Sequence, residues 1–266
     1  VVTEGIVDVA GAQIRYREAG SGDAVVLVHG WPVDSRLWTE QIARLAGRHR
    51  VLALDLPGYG RSDPPAAPGF EPLVNAVLGF LDALGLERAA LVGHDAGGPA
   101  VLLTAIRHPQ RVSKLVVMDT TPYPKTPWLI RLLMLAGKIP GAGSLLLSRF
   151  GFRVLFRLGT AGRHVDTRAM ADRFRPDPAE RRRALIEALR GFDPGELVEV
   201  EAGVGSIAAP TMILWAADDP TGPLSLARRL AGDIPGSTLV TVPSCGHFLP
   251  LDRPGEVGEL LAAFLD

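Results

Sequence analysis

Ala90-Leu91-Val92-Gly93-His94-Asp95-Ala96-Gly97-Gly98 is an apolar run that breaks into small residues around one acidic side chain. It continues as Pro99-Ala100-Val101-Leu102-Leu103-Thr104-Ala105, so the stretch predicts a strand, a tight turn and a helix. Small residues on both sides of Asp95 let the backbone turn sharply and let the helix pack against its own strand. The side chain at the apex is then held out from the sheet. A carboxylate there is already ionised at neutral pH, its reference pKa being about 3.9, so it needs no base before attacking carbon. Asp95 is equally placed to cap the following helix, and that role competes with nucleophilic attack.

The same rhythm extends both ways along the chain. Residues 5–18 alternate apolar and polar around Ala10-Gly11-Ala12, which predicts a hairpin. Ala24–Val28 is continuous and β-branched, the mark of a strand covered on both faces; Val51–Leu54 reads as a second buried strand, and Lys114–Asp119, Thr211–Trp215 and Thr238–Val242 as further strands. Helical stretches separate them at about 38–47, 72–85 and 224–231, and a closing helix starts near Pro254. Repeated crossovers of this kind predict an α/β fold, a mostly parallel, doubly wound sheet whose ligands bind at the carboxyl ends of the strands.

Between Pro122 and about Gly205 that rhythm is lost, and the segment reads as several helices without a strand. It carries 14 Lys and Arg against 9 Asp and Glu. The expected organisation is a core of residues 1–121 and 206–266 with a helical cap at 122–205. A cap lying over the strand ends would bury the apolar stretches around Ile130–Leu135 and Leu145–Leu158 and cover Asp95.

Composition narrows the function. At 266 residues and 47% hydrophobic the chain can bury one large core, and a net charge of −1 argues against a nucleic-acid partner. Its single cysteine, Cys245, excludes an internal disulfide and a cysteine-based zinc site. No basic-then-apolar leader opens the sequence and no apolar run reaches the length of a membrane span. The expectation is a cytoplasmic protein with a small hydrophobic substrate, no membrane partner, no cofactor and no metal.

Polar residues follow the strands in a telling order. His29-Gly30-Trp31-Pro32 follows the first buried strand, Asp218-Asp219 follows Thr211–Trp215, and Gly246-His247 follows Thr238–Val242. The series Asp95, Asp219, His247 has the order nucleophile, acid, histidine, and over nearly its whole length the chain resembles the α/β-hydrolase fold superfamily. Aspartate at the elbow, where Gly-x-Ser-x-Gly would place serine, is similar to the branch containing epoxide hydrolases and haloalkane dehalogenases. The resemblance implies that Asp95 forms an ester with an sp³ carbon, that the backbone amides of Trp31 and Ala96 form an oxyanion hole, and that His247 activates the water that hydrolyses the ester.

Two points of that assignment stay open. The acid is Asp219 if Trp215-Ala216-Ala217-Asp218-Asp219 matches the Trp-Gly-x-x-Asp form of many relatives, although alanine replaces the glycine. Some dehalogenases take it instead from the end of the preceding core strand, here Asp119. Substrate chemistry is open too. Haloalkane dehalogenases commonly place tryptophan after the nucleophile as a halide donor, and fluoroacetate dehalogenases arginine; here the residue is Ala96. Epoxide hydrolases usually take two cap tyrosines, and the tyrosines here are Tyr16, Tyr59 and Tyr123. Tyr123, at the cap entrance, is the expected proton donor; Trp31 and Trp128 are expected to line the pocket. Epoxide hydrolysis is the favoured activity and dehalogenation the alternative. A non-hydrolytic protein that binds or cyclises a hydrophobic metabolite is the alternative of another class.

Overall fold

Three strands rich in Val, Leu and Ala, buried over almost their whole length, form the middle of the sheet: β3 (Ala24–Val28), β4 (Arg50–Leu54) and β5 (Ala89–His94). The computed structural model describes residues 1–160, 165–176 and 179–266. At one edge β1 (Thr3–Val9) and β2 (Ala12–Ala19) form a hairpin closed by Ala10 and Gly11, both at positive φ, the conformation that matches the twist of a two-residue turn. Toward the other edge lie β6 (Val112–Met118), β7 (Thr211–Ala216) and β8 (Thr238–Val242). The order is β1-β2-β4-β3-β5-β6-β7-β8, antiparallel through β1, β2 and β4 and parallel from β4 to β8.

The parallel register decides where the site falls. Val28 pairs with Gly93, His94 with Met118 and Met118 with Leu214. The chain therefore leaves the sheet on one side at His29-Gly30-Trp31, Asp95, Asp119 and, beyond β7, Asp219.

Helices complete the layers. These are α1 (Thr39–Leu45), α2 (Glu71–Ala83), α3 (Gly97–Arg107), α4 (Trp128–Lys138), α5 (Ala142–Leu146), α6 (Arg149–Gly159), α7 (Thr167–Phe174), α8 (Ala179–Gly191), α9 (Leu197–Gly203), α10 (Leu224–Asp233), α11 (Leu249–Asp252) and α12 (Pro254–Leu265). α1 packs on α12, while α2 packs on α3. Among the described residues the stretch between β6 and β7 holds six helices and no strand. Its last helix departs from the expected organisation: α9 packs on α3, with Leu197 and Val200 buried, and so sits with the helices of the sheet.

Burial of this segment also differs from expectation. Phe152 and Phe156 are fully buried, but Leu132, Leu135, Leu145, Phe150 and Leu158 are exposed. Among the described residues, one side of α4 and of α6 is covered by protein and the other is exposed.

Candidate active site

Asp95 sits at φ +50°, a left-handed conformation that an L-residue keeps only where its surroundings enforce it. Its N–H donates to the Met118 carbonyl at 3.2 Å, and its own carbonyl accepts from Gly98 N–H at 2.9 Å and the Thr120 hydroxyl at 2.6 Å. The turn is also crowded. A Cβ on Gly97 would meet the Val28 and His29 carbonyl oxygens at 2.4 and 2.6 Å.

The carboxylate is oriented from both sides. Trp31 N–H donates to Oδ2 at 2.7 Å, and Ala96 N–H donates to the same carboxylate. Both amides thus hydrogen-bond this group. The other oxygen, Oδ1, lies 3.9 Å from His247 Nε2. Burial raises the Asp95 pKa above the ordinary carboxylate value; His247 and the two amides oppose the rise.

His247 is held from its far nitrogen. Nδ1 lies 3.1 Å from Asp219 Oδ2 and 2.9 Å from the Thr221 hydroxyl. Thr221 donates from both its backbone N–H and its hydroxyl to Asp219 Oδ1, each at 2.7 Å. Asp219 is thereby fully hydrogen-bonded, and its side chain is completely buried. Burial alone would lower the His247 pKa, but the Asp219 and Asp95 carboxylates hold it above 6.5. Burial would conversely raise Asp219, and His247 with the Thr221 donors keeps it below the usual value. Each partner favours the charged form of the other.

Asp119, the alternative acid, is placed differently. Its Oδ1 accepts from Ala216 N–H at 2.8 Å and its Oδ2, fully buried, has no hydrogen-bond partner among the described residues. Burial and the nearby Asp219 charge push it well above the carboxylate range. Asp219, not Asp119, is hydrogen-bonded to His247. Ligand atoms of His94, Asp119 and His247 lie within 4.8 Å of one another, which is metal-like spacing. His94 Nε2, however, donates to the His247 carbonyl at 2.7 Å, and burial lowers its pKa to about 3. The Nδ1 and Nε2 of His247 face Asp219 and Asp95, so binding a metal there would dismantle the hydrogen bonds that orient His247.

Above Asp95 an apolar cavity is lined by Trp31, Phe70, Pro99, Leu133, Met134 and Phe192, among others. Leu133 and Met134 come from α4, and they line the cavity together with Asp95. Trp31 lines the cavity, and its indole N–H donates to the Leu185 carbonyl at 3.0 Å. Trp128 does not belong there: it points outward and is 69% exposed.

Tyr123 is the second correction. Its hydroxyl donates to Asp233 at 2.7 Å, its ring is covered by the Arg229 guanidinium, and it is fully buried away from the cavity. Tyr59 is the tyrosine that lines the cavity beside Asp95. Its ring meets His29 edge-on at 5.1 Å, and its hydroxyl has no hydrogen-bond partner among the described residues. Burial, and then the Asp95 charge, raise its pKa, so the hydroxyl keeps its proton at neutral pH. Within Leu56-Pro57-Gly58-Tyr59-Gly60 only the loop composition was visible.

The family profile of the α/β-hydrolase fold matches residues 23–254. The chain belongs to that family. This α/β-hydrolase is 28% identical to the 2-hydroxy-6-oxo-6-phenylhexa-2,4-dienoate hydrolase of Comamonas testosteroni, over 97% of this chain and 93% of the relative. It is 30% identical to haloalkane dehalogenase 2 of Mycobacterium tuberculosis, over 96% of this chain and 92% of the relative. Among solved structures, the epoxide hydrolase CorEH superposes with a TM-score of 0.85 at 23% identity, covering 100% of this chain and 99% of that one. That likeness extends the shared fold through the helical segment.

Proposed function

We propose that this hydrolase opens small or medium hydrophobic epoxides to diols through an ester on Asp95. The observation that carries the reading is the divided carboxylate of a residue that lines the apolar cavity: Oδ2 accepts from the Trp31 amide, with the Ala96 amide also bonded to the group, and Oδ1 faces His247. A carboxylate attacking a carbonyl would give a mixed anhydride, whereas on an sp³ carbon it gives a stable ester that a second step can hydrolyse. This favours alkyl electrophiles over the dienoate chemistry named for the Comamonas relative.

In the first step Asp95 Oδ1 bonds to a ring carbon, the carbon–oxygen bond of the epoxide breaks, and Tyr59 gives its proton to the departing oxygen. In the second, His247 Nε2 takes a proton from water and the hydroxide adds to the ester carbonyl, whose oxygen is stabilised by the Trp31 and Ala96 amides. Collapse breaks the bond between the Asp95 carbonyl carbon and Oδ1, which leaves with the product as its second hydroxyl oxygen and takes its proton from His247, while the water oxygen stays in the Asp95 carboxyl. The new Asp95 carboxyl then loses its proton, restoring Tyr59 through solvent. Asp219 and Thr221 keep the His247 ring aligned throughout.

Haloalkane dehalogenation by the same ester is the second reading, favoured by the 30% identity to a dehalogenase. Against it, the Trp31 indole N–H is already bound to Leu185 and Ala96 offers no side-chain donor for halide. A panel of epoxides, haloalkanes and oxo-dienoates, scored for diol, halide and carbon–carbon cleavage, tests the proposal. Diol formation is expected. Halide release alone would favour dehalogenation, and binding without turnover of any of them would favour the non-hydrolytic alternative.

A further inference from the structure

Residues 120–165 contain seven Lys and Arg and no Asp or Glu. Helices α4, α5 and α6 fall within this stretch. On α4, Ile130, Leu133 and Met134 line the cavity and Gly137 packs against Leu189, spacings of three and four that define one face. Trp128, Leu132, Leu135 and Ile139 have the same spacing on the opposite face, and all four are exposed. The helix is apolar on both sides and covered on one.

α6 repeats the arrangement. Phe152 and Phe156 point inward and are fully buried, while Phe150, Val154 and Leu158 point out, Phe150 being 72% exposed. Leu145 on α5 is exposed as well. Eight large apolar side chains on three consecutive helices are therefore in water, well beyond the isolated exposed apolar residues of an ordinary surface. Cations lie among them. Arg149 and Arg153 approach Asp172 at 3.1 and 3.9 Å, but Lys125, Arg131, Lys138 and Arg157 have no ion-pair partner among the described residues.

We infer that this outer face of α4, α5 and α6 docks on the surface of an anionic phospholipid bilayer. Charge selects this occupant over a second copy of the chain. A two-fold interface through the face would set unpaired cations against the same helices, which contain no acid. Anionic headgroups supply the missing charge, and the acyl boundary receives the apolar stripe with Trp128 at its edge. The expectation of no membrane partner considered only spanning segments. No helix among the described residues is long and apolar enough to cross a membrane, but lying in the interface requires no such helix. Since the inner face of α4 lines the cavity over Asp95, docking would set the substrate cavity beside the bilayer.

Flotation with phosphatidylcholine vesicles, and with vesicles mixing phosphatidylcholine and phosphatidylglycerol, tests the inference without reference to activity. The unmutated protein should float with the mixed vesicles, release at high salt, and stay behind with phosphatidylcholine alone. Arg131→Glu/Lys138→Glu should lower partitioning roughly tenfold or more, as should Leu132→Gln/Leu135→Gln, both with unchanged melting temperature. Trp38 and Trp215 are fully buried and Trp31 lines the cavity with its indole held by Leu185, so a blue shift of emission on binding reports Trp128 and should be lost in Trp128→Phe. Absence of flotation, equal flotation with both vesicle types, or equal partitioning of all variants overturns the inference. So does a dimer in light scattering that Leu132→Gln/Leu135→Gln splits into monomers, which would make the face an interface between copies.

Discussion

The two oxygens of Asp95 have different partners, Oδ2 accepting from the Trp31 amide and Oδ1 lying 3.9 Å from His247 Nε2, and the proposed mechanism gives them different tasks. Asp95→Ala should abolish turnover and leave a cooperative melt; retained activity in a folded variant would remove Asp95 from the mechanism. The pH dependence follows from charge. His247 must be neutral to accept a proton, and Asp219 and Asp95 both raise its pKa. Esterification removes the Asp95 charge, so where ester hydrolysis limits the rate, the acid limb of kcat should fall at lower pH than the His247 titration seen by NMR in the free enzyme. Asp219→Asn should shift that limb further down in pH and lower the plateau by roughly a hundredfold or more, with a smaller effect from Asp119→Asn. The reverse ranking would return the acid to Asp119. Tyr59→Phe should slow ester formation from an epoxide in a single turnover, whereas Tyr123→Phe should not; the opposite outcome would contradict the placement of the proton donor. Asp95, Asp219 and His247 were legible because each stands in the short loop that follows a strand. Tyr59 and Thr221 were not, since each owes its position to a loop returning to the site, and Tyr123 misled because Asp233, 110 residues away, takes its hydroxyl.

The elements were legible where periodicity and turn chemistry agreed. The hairpin at Ala10-Gly11 and the buried strands follow the expected pattern, because continuous β-branched runs have few alternatives to a covered sheet. The helical segment was less legible: apolar content implied burial, but α4 and α6 carry apolar residues on two faces and the protein covers one. The placement of α9 against α3 depended on a tertiary contact with no local signal. The elbow makes a prediction at this scale. Because a Cβ on Gly97 would press on the Val28 and His29 carbonyls, Gly97→Ala must displace α3 or the β3 end. Overpacking of this kind costs about 1–3 kcal/mol, so calorimetry should show a Tm lower by several degrees, with activity falling further than stability. An unchanged Tm and activity would show that the turn has slack.

At the scale of the molecule, the parallel sheet brings Asp95, Asp219 and His247 together from β5, β7 and β8, and the intervening helices roof the site. Core and roof are joined directly: the Trp31 indole bonds to Leu185 on α8, and Arg173 on α7 reaches the Arg36 carbonyl at 2.7 Å. The proposed mechanism assigns the attacking carboxylate and the base that releases the product to different residues, and that separation is open to measurement. In His247→Gln, Asp95 should still attack, and the ester should accumulate because nothing activates water. After incubation with an epoxide that the unmutated enzyme turns over, intact mass should rise by the whole substrate, and peptide mapping should place it on Asp95. A haloalkane would instead add its mass less hydrogen halide. If the unmutated enzyme turns the epoxide over but His247→Gln carries no added mass on Asp95, the covalent account is wrong.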